Sequence, residues 1–128
     1  MKILLDTHAF IWFAEDDSKL DETMKILIEK SSNDIFLSIV SIWEMAIKMQ
    51  LKKLNLEKSI EDIIDIVTVN GIELLPILPY HIIKMTTLDF YHRDPFDRII
   101  IAQGLFENMR IMSRDVIFDE YGVARIWK

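Results

Sequence analysis

Short apolar runs alternate with longer amphipathic segments along the chain. Residues 3–5 form an apolar run without polar alternation, which is typical of a strand buried on both faces of a parallel sheet. Similar runs at 35–37, 72–75 and 110–113 predict three more strands, and residues 123–126 predict a weak fifth strand. The pattern therefore predicts a sheet of buried parallel strands.

Helices are predicted between these strands. Residues 60–67 carry isoleucine and valine at the i, i+3, i+4, i+7 spacing of an amphipathic helix, and Asn70-Gly71 is a suitable end for it. The other predicted helices lie at 9–14, 21–30, 38–51, 79–88 and 95–106. This alternation predicts an α/β fold: a single three-layer α/β/α domain over residues 1–128, with a central, mainly parallel sheet of four to five strands.

The composition limits the cellular compartments and the classes of partner that we expect for this protein. The chain has no cysteine, which excludes disulfides and thiolate metal sites and suits a reducing cytosol. No apolar run approaches a membrane span and the N-terminus does not resemble a secretory signal, so we expect a cytoplasmic protein. The net charge of −6 is opposite to that of a non-specific nucleic-acid binder. A nucleic-acid role would therefore require a local site, and a basic protein partner is equally compatible.

Four acids are expected at one edge of the sheet: Asp6, Glu44, Asp97 and Asp115. Parallel strands place their carboxyl ends at the same edge, which is where ligands bind in open α/β sheets. Crowded carboxylates repel one another, and their pKa values rise unless a cation lies among them. An acidic pocket of oxygen ligands suits Mg²⁺ or Mn²⁺.

Each of these acids also has a structural explanation. Asp6 and Asp115 could each cap a following helix. Ser41 and Glu44 match the S-x-x-E capping box, and Asp94-Pro95 matches an N-cap followed by proline at the first helical position. One aspartate is enough to cap that helix, so Asp97 is not needed for capping.

The histidines give a weaker signal. His8, His81 and His92 show neither an i, i+4 pair nor zinc-site spacing. His8 and His92 could approach the acids, in surface or supporting positions. The sequence has no Ser-His-Asp order, no phosphate-binding glycine loop and no dinucleotide fingerprint.

Four motifs in this order resemble those of PIN-domain ribonucleases, and specifically the VapC-type toxins of bacterial and archaeal toxin–antitoxin pairs. They are Leu-Leu-Asp-Thr-His at 4–8, Ser-Ile-Val-Ser-Ile-Trp-Glu at 38–44, Arg-Asp-Pro-Phe-Asp-Arg at 93–98 with Ile-Ala-Gln at 101–103, and Met-Ser-Arg-Asp at 112–115. The resemblance spans nearly the whole chain.

The resemblance implies roles for individual residues. The metal-binding and catalytic acids would be Asp6, Glu44, Asp97 and Asp115, supported by Thr7, Ser113 and Asp94. Lys48, Arg93, Arg98 and Arg114 lie beside these motifs and could reach RNA phosphates. Each could equally lie on the solvated surface or in a salt bridge. The implied activity is a Mg²⁺- or Mn²⁺-dependent endoribonuclease.

The resemblance also implies protein partners. The chain would form a homodimer, be silenced by a small antitoxin and contact DNA only indirectly, through that antitoxin. The apolar side chains considered for such contacts are Trp12, Phe13, Met45 and Met49.

Two other functions remain open from the sequence. A receiver-like signalling module also has acids at the strand ends of a parallel sheet, but needs a lysine at the end of a late strand, where this chain has Ser113-Arg114-Asp115. A non-catalytic interaction protein of the same fold class is opposed only by the full set of four acids.

Overall fold

The structure, a computed structural model that describes residues 1–128, contains a five-stranded sheet. The strands are β1 (Lys2–Leu5), β2 (Asp34–Ser38), β3 (Glu73–Leu75), β4 (Arg110–Met112) and β5 (Arg125–Ile126). All four strand pairings are parallel, and the strand order is β3-β2-β1-β4-β5. The predicted parallel sheet is therefore confirmed, including its short fifth strand.

Six α-helices connect the strands. They are α1 (Thr7–Ala14), α2 (Glu22–Glu29), α3 (Ile39–Gln50), α4 (Ile60–Val69), α5 (Pro79–Thr86) and α6 (Pro95–Glu107), and a 3₁₀ helix covers Val116–Tyr121. Each lies where the sequence pattern predicts a helix, with ends that differ by a few residues. The predicted α/β/α architecture is thus confirmed.

Strand β1 forms the centre of two hydrophobic cores. Ile3 and Leu5 pack on one face of the sheet with Phe10 of α1 and Ile63 of α4. Leu4 points to the other face, where it packs in a second cluster with residues of α6. All three strand residues are completely buried, because successive side chains of a strand point to opposite faces and both faces are covered by helices.

Capping side chains fix where the site-bearing helices begin. Asp6 caps α1 and Asp94 caps α6, as the structural explanation of these acids predicts. The predicted capping box of Ser41 and Glu44 is wrong: α3 begins at Ile39 with Ser38 as its N-cap, so Ser41 lies inside the helix. Glu44 is therefore free of any capping role.

The strand order creates a crevice beside β1. The chain runs from β1 to β2 and β3 on one side of the sheet, and then crosses back to β4 on the other side of β1. Connections that leave in opposite directions from neighbouring strands open a crevice at their carboxyl ends, the usual binding position in such sheets. Asp6 directly follows β1, and Ser113 directly follows β4.

Candidate active site

Asp6 and Asp115 face the crevice, and each uses only one carboxylate oxygen to cap a helix. Asp6 Oδ1 accepts the backbone N–H of Ala9 at 2.7 Å, and Asp115 Oδ1 accepts that of Ile117 at 3.0 Å. The second oxygen of each carboxylate takes no part in capping. Capping and ligand binding are therefore compatible in these two residues.

His92 joins Asp97 to Asp115. Its Nε2 atom lies 3.0 Å from Oδ2 of Asp97 and 3.0 Å from Oδ2 of Asp115. Its Nδ1 atom accepts the backbone N–H of Asp94 at 3.2 Å, which places the proton of the neutral ring on Nε2. One potential ligand atom from each of His92, Asp97 and Asp115 lies within 4.8 Å of the others.

The loop that carries His92 is held by Tyr121. The Tyr121 hydroxyl accepts the backbone N–H of His92 at 2.7 Å and donates to the carbonyl of Asp89 at 2.6 Å. The 3₁₀ helix that follows Asp115 therefore also fixes the loop before Asp94, and so controls the position of the imidazole.

Glu44 is buried, with an exposed fraction of 2%, yet both of its oxygens have partners. Thr7 Oγ1 donates to Oε1 at 2.7 Å, and Lys48 Nζ donates to Oε2 at 2.6 Å. Ser41 Oγ lies 2.9 Å from Thr7 Oγ1 and extends the network. These contacts join the start of α1 to α3, which positions Glu44 toward the acids.

Ser113 supports Asp6 and Asp115 together. Its hydroxyl accepts the backbone N–H of Asp115 at 3.0 Å. Hydrogen bonding to Ser113 opposes the effect of burial on the Asp6 carboxyl, although burial prevails and the pKa of Asp6 is raised. Ser113 is completely buried, so this hydroxyl is not available to solvent.

Asp97 is a second acid whose charged form is disfavoured. Burial, followed by the charges of neighbouring acids, raises the pKa of Asp97 to about 8. In decreasing order of effect, these neighbours are Asp94, Glu44, Asp6 and Asp115. The structure thus brings the four acids named from the sequence close enough to influence one another.

This donor set fits a divalent cation. Burial and nearby negative charge disfavour the ionised forms of Asp6 and Asp97, and a bound cation offsets both effects. The ligand atoms of His92, Asp97 and Asp115 are close enough to one another to hold an ion, whereas Asp6 and Glu44 lie outside this group and act on Asp97 through their charges. Carboxylate oxygens are ligands that suit Mg²⁺ and Mn²⁺. The Nε2 atom of His92 would either bind the ion or be displaced by it.

The four cationic side chains predicted to reach phosphates differ in their environments. Arg98 is buried, and its guanidinium donates to backbone carbonyls of residues 85–92, including Asp89 at 2.8 Å. The structure contradicts a phosphate role for Arg98, because its donors hold the loop that carries His92. Lys48 is paired with Glu44, whereas Arg93 and Arg114 are exposed and form no ion pair.

The sequence predicts that His92 could approach the acids in a surface or supporting position, and it does not indicate Ser41 or Tyr121 as site residues. His92 lies two residues before Asp94, but nothing in its spacing shows that the loop turns its ring between two acids. Ser41 lies one helical turn before Glu44, and this spacing could have placed it on the same helix face. Tyr121 acts from a distant segment and has no local signal.

A family model for the PIN domain matches residues 3–124. The chain belongs to the PIN-domain family. The acids at the crevice therefore lie within the matched domain. No curated protein matches the chain in sequence.

Three solved structures share this fold over almost the whole chain. The chain of VapBC2 from Rickettsia felis, bound to a DNA fragment from its promoter, has a TM-score of 0.73, 13% identity and 98% coverage of both chains. That of VapBC-1 from nontypeable Haemophilus influenzae has a TM-score of 0.69, 19% identity and coverage of 98% of this chain and 97% of the other. FitAcB from Neisseria gonorrhoeae gives a TM-score of 0.64, 17% identity and coverage of 98% and 96%.

Proposed function

We propose that this PIN-domain protein is a metal-dependent endoribonuclease that acts as the toxin of a toxin–antitoxin pair. The observation that carries the nuclease proposal is the cluster of His92, Asp97 and Asp115, whose ligand atoms lie within 4.8 Å of one another. Burial and the neighbouring acids raise the pKa of Asp97 in this cluster to about 8. Such an arrangement lowers the stability of the folded chain, so its presence indicates a functional site, where a bound cation would offset the cost. The toxin assignment is supported by family membership and by the similarity to VapBC chains.

The chain's own residues would divide the work of phosphodiester hydrolysis. Asp6, Glu44, Asp97 and Asp115 would hold one or two Mg²⁺ or Mn²⁺ ions, which supply positive charge for the phosphate and lower the pKa of an attacking water. Thr7 and Lys48 keep Glu44 oriented through its two oxygens. Ser113 fixes the backbone of Asp115, and Asp94 starts α6 so that Asp97 projects from its first turn.

Substrate contacts are proposed for three cations. Arg93 and Arg114 are exposed beside the acids, and Lys48 adjoins them through Glu44. Their charges would offset the repulsion between RNA and a chain of net charge −6. Arg98 is excluded from this group by its burial.

The proposal is tested by Mg²⁺-dependent cleavage of total RNA by the parent protein and by Asp6→Asn. Asparagine still accepts the Ala9 N–H and caps α1, but is a much poorer ligand for a hard cation. We expect a folded variant whose metal-free stability is level or higher and whose cleavage is lost. The control is Asp34→Asn, which also removes one negative charge. Asp34 lies at the start of β2, at the end of the strand away from the acids, so this variant should cleave RNA normally. Parental cleavage by a folded Asp6→Asn would contradict the mechanism.

The receiver-like alternative conflicts with the fold. Receiver modules of the flavodoxin-like type have strand order 2-1-3-4-5, whereas this sheet has order 3-2-1-4-5. The non-catalytic alternative predicts that neither Mg²⁺ nor Mn²⁺ changes the melting temperature. We expect stabilisation by both ions, because binding to the folded state alone at 100 times the dissociation constant adds about 2.7 kcal/mol.

The proposed antitoxin is a basic, partly disordered protein. The acidic surface of this chain favours such a partner, which would also provide the DNA contact that this chain's charge disfavours. No helix of the chain is long and apolar enough to cross a membrane, and we propose a cytoplasmic location. If a short reading frame adjoins this gene, co-expression with its product should yield a stable complex that does not cleave RNA. An acidic product would contradict this part of the proposal.

The homodimer is proposed to form through an apolar groove between α3, α5 and α6. The earlier candidates are wrong in part: Trp12 and Met45 belong to the core. The groove is lined by Val40, Trp43, Ile77, Ile82, Met85, Pro95, Phe96 and Ile99. Trp43 is 58% exposed there and Ile82 is 48% exposed. Light scattering should give twice the chain mass for the parent and a monomer for Ile82→Asp; a monomeric parent would remove this proposal.

A further inference from the structure

The cavity at Asp6 and Asp115 extends from the acids toward α1. It has a volume of about 270 Å³ and is lined by Asp6, His8, Trp12, Arg114 and Asp115. Two of these residues, Asp6 and Asp115, also belong to the proposed metal site. A ligand in this cavity would therefore be connected directly to a group reacting at the acids.

Arg114 supplies an unpaired positive charge to this cavity. Its guanidinium carbon lies 4.6 Å from the centre of the Trp12 ring, and the side chain is exposed. It forms no ion pair, although Asp115 is its neighbour in the chain, whereas Lys48 and Arg125 are paired with carboxylates. The indole thus fixes a cation whose hydrogen-bond donors remain free for an anion.

His8 supplies an exposed aromatic face at the same cavity. It lies one helical turn before Trp12, with the two ring centres 5.8 Å apart and the planes inclined by 38°. A carboxylate-lined cavity disfavours a free anion, but an aromatic face accepts any neutral nucleobase. The volume is below the ~300 Å³ of pockets for drug-sized ligands, which matches a single nucleotide better than a folded RNA element.

We propose that this cavity binds the nucleotide next to the scissile phosphate of a single-stranded RNA, with Arg114 on the phosphate and His8 stacked on the base. The inference rests on the ribonuclease function proposed above and assigns His8 a role that the acids do not require. Stacking on one face is tolerant of sequence, so the cavity selects unpaired RNA rather than a particular base.

Binding is measured first, without cleavage. The full chain carrying Asp97→Asn is titrated in Mg²⁺ with a fluorescent single-stranded RNA of about 12 nucleotides, within the usual range of single-strand sites. Arg114→Ala should weaken binding about tenfold, equal to about 1.4 kcal/mol, and reduce the salt dependence by about one phosphate contact. The control is Arg110→Ala, which removes the same charge at the start of β4 and should bind as the parent does.

Stacking is measured with a pair of His8 variants. His8→Ala should weaken binding, and His8→Phe should restore it because phenylalanine retains an aromatic face. A series of oligonucleotides with single abasic sites should show one position that weakens the parent but not His8→Ala. Both side chains are exposed, so these variants keep the fold, which melting temperatures verify.

The outcomes separate this inference from the proposed function. If the active protein cleaves RNA but Arg114→Ala and Arg110→Ala bind equally, or if His8→Phe fails to restore binding, the nucleotide site is wrong and the nuclease stands. If RNA binds through Arg114 and His8 but the active protein never cleaves it, the site stands and the nuclease function is wrong. Absence of both RNA binding and RNA cleavage contradicts both.

Discussion

The Nε2 atom of His92 lies 3.0 Å from the Oδ2 atom of Asp97. The same nitrogen is equally close to Asp115, although a neutral ring has a single proton there to donate. The imidazole therefore occupies the position between two acids that a cation could take.

We predict that His92→Ala lowers the free energy of unfolding more in metal-free protein than in protein with bound metal. In metal-free protein the variant removes the donor that separates the two carboxylates, at a cost of about 1–3 kcal/mol in the free energy of unfolding. In millimolar Mn²⁺ the loss should shrink, since the ion supplies the missing charge. Urea unfolding of parent and variant with and without Mn²⁺ measures both quantities. A larger loss in Mn²⁺ would instead identify His92 as a ligand.

The raised pKa of Asp97 predicts that the stability of the metal-free protein depends on pH. The pKa of Asp97 is about 8 in the folded protein and near 3.8 when unperturbed, so between these values the folded state binds more protons than the unfolded state. The contribution of the Asp97 carboxyl to the free energy of unfolding is therefore fully present below about pH 4 and is lost as the pH rises toward 8.

Asp97→Asn should remove this dependence. We expect metal-free Asp97→Asn to be more stable than the parent at pH 8 by about 1–3 kcal/mol, with the difference declining toward pH 5. Chemical denaturation in EDTA across this range is the measurement. A gain that grows as the pH falls would contradict the assigned direction of the pKa shift.

Thr7 is predicted to stabilise Glu44 through its hydroxyl alone. Thr7→Val preserves the shape of the side chain but leaves Oε1 of buried Glu44 without its 2.7 Å donor, at a cost of about 1–3 kcal/mol. Thr7→Ser retains the hydroxyl and should lose less than half as much. A loss in Thr7→Ser as large as that in Thr7→Val, measured by urea unfolding, would show that the methyl group matters as much as the hydroxyl and would contradict this prediction.

Arg98 is predicted to act in folding rather than in RNA binding. Lysine cannot reproduce the planar fork that reaches several backbone carbonyls, so Arg98→Lys should lose about 2–3 kcal/mol of stability. Arg93→Lys, at an exposed position in the same loop, should stay within about 0.5 kcal/mol of the parent. An RNA affinity that falls in Arg98→Lys while its stability is unchanged would restore the phosphate role.

The sequence by itself determined the order of the elements and the edge at which the acids meet. Residues 3–5 have no polar alternation, so the first strand had to lie at the centre of the sheet, where both of its faces are covered. Parallel connections then place the residues that follow β1 and β4 at one edge. The capping roles of Asp6 and Asp94 were also predictable, because a cap depends only on neighbouring backbone groups.

Only the tertiary structure decided which side chains point into the site. Arg98 and Arg114 each lie beside an acid motif, yet one is buried among carbonyls and the other lies exposed over Trp12. His92 reaches two acids because Tyr121, from a distant segment, holds its loop. These outcomes depend on contacts between segments far apart in the chain, and periodicity and local spacing contain no information about them.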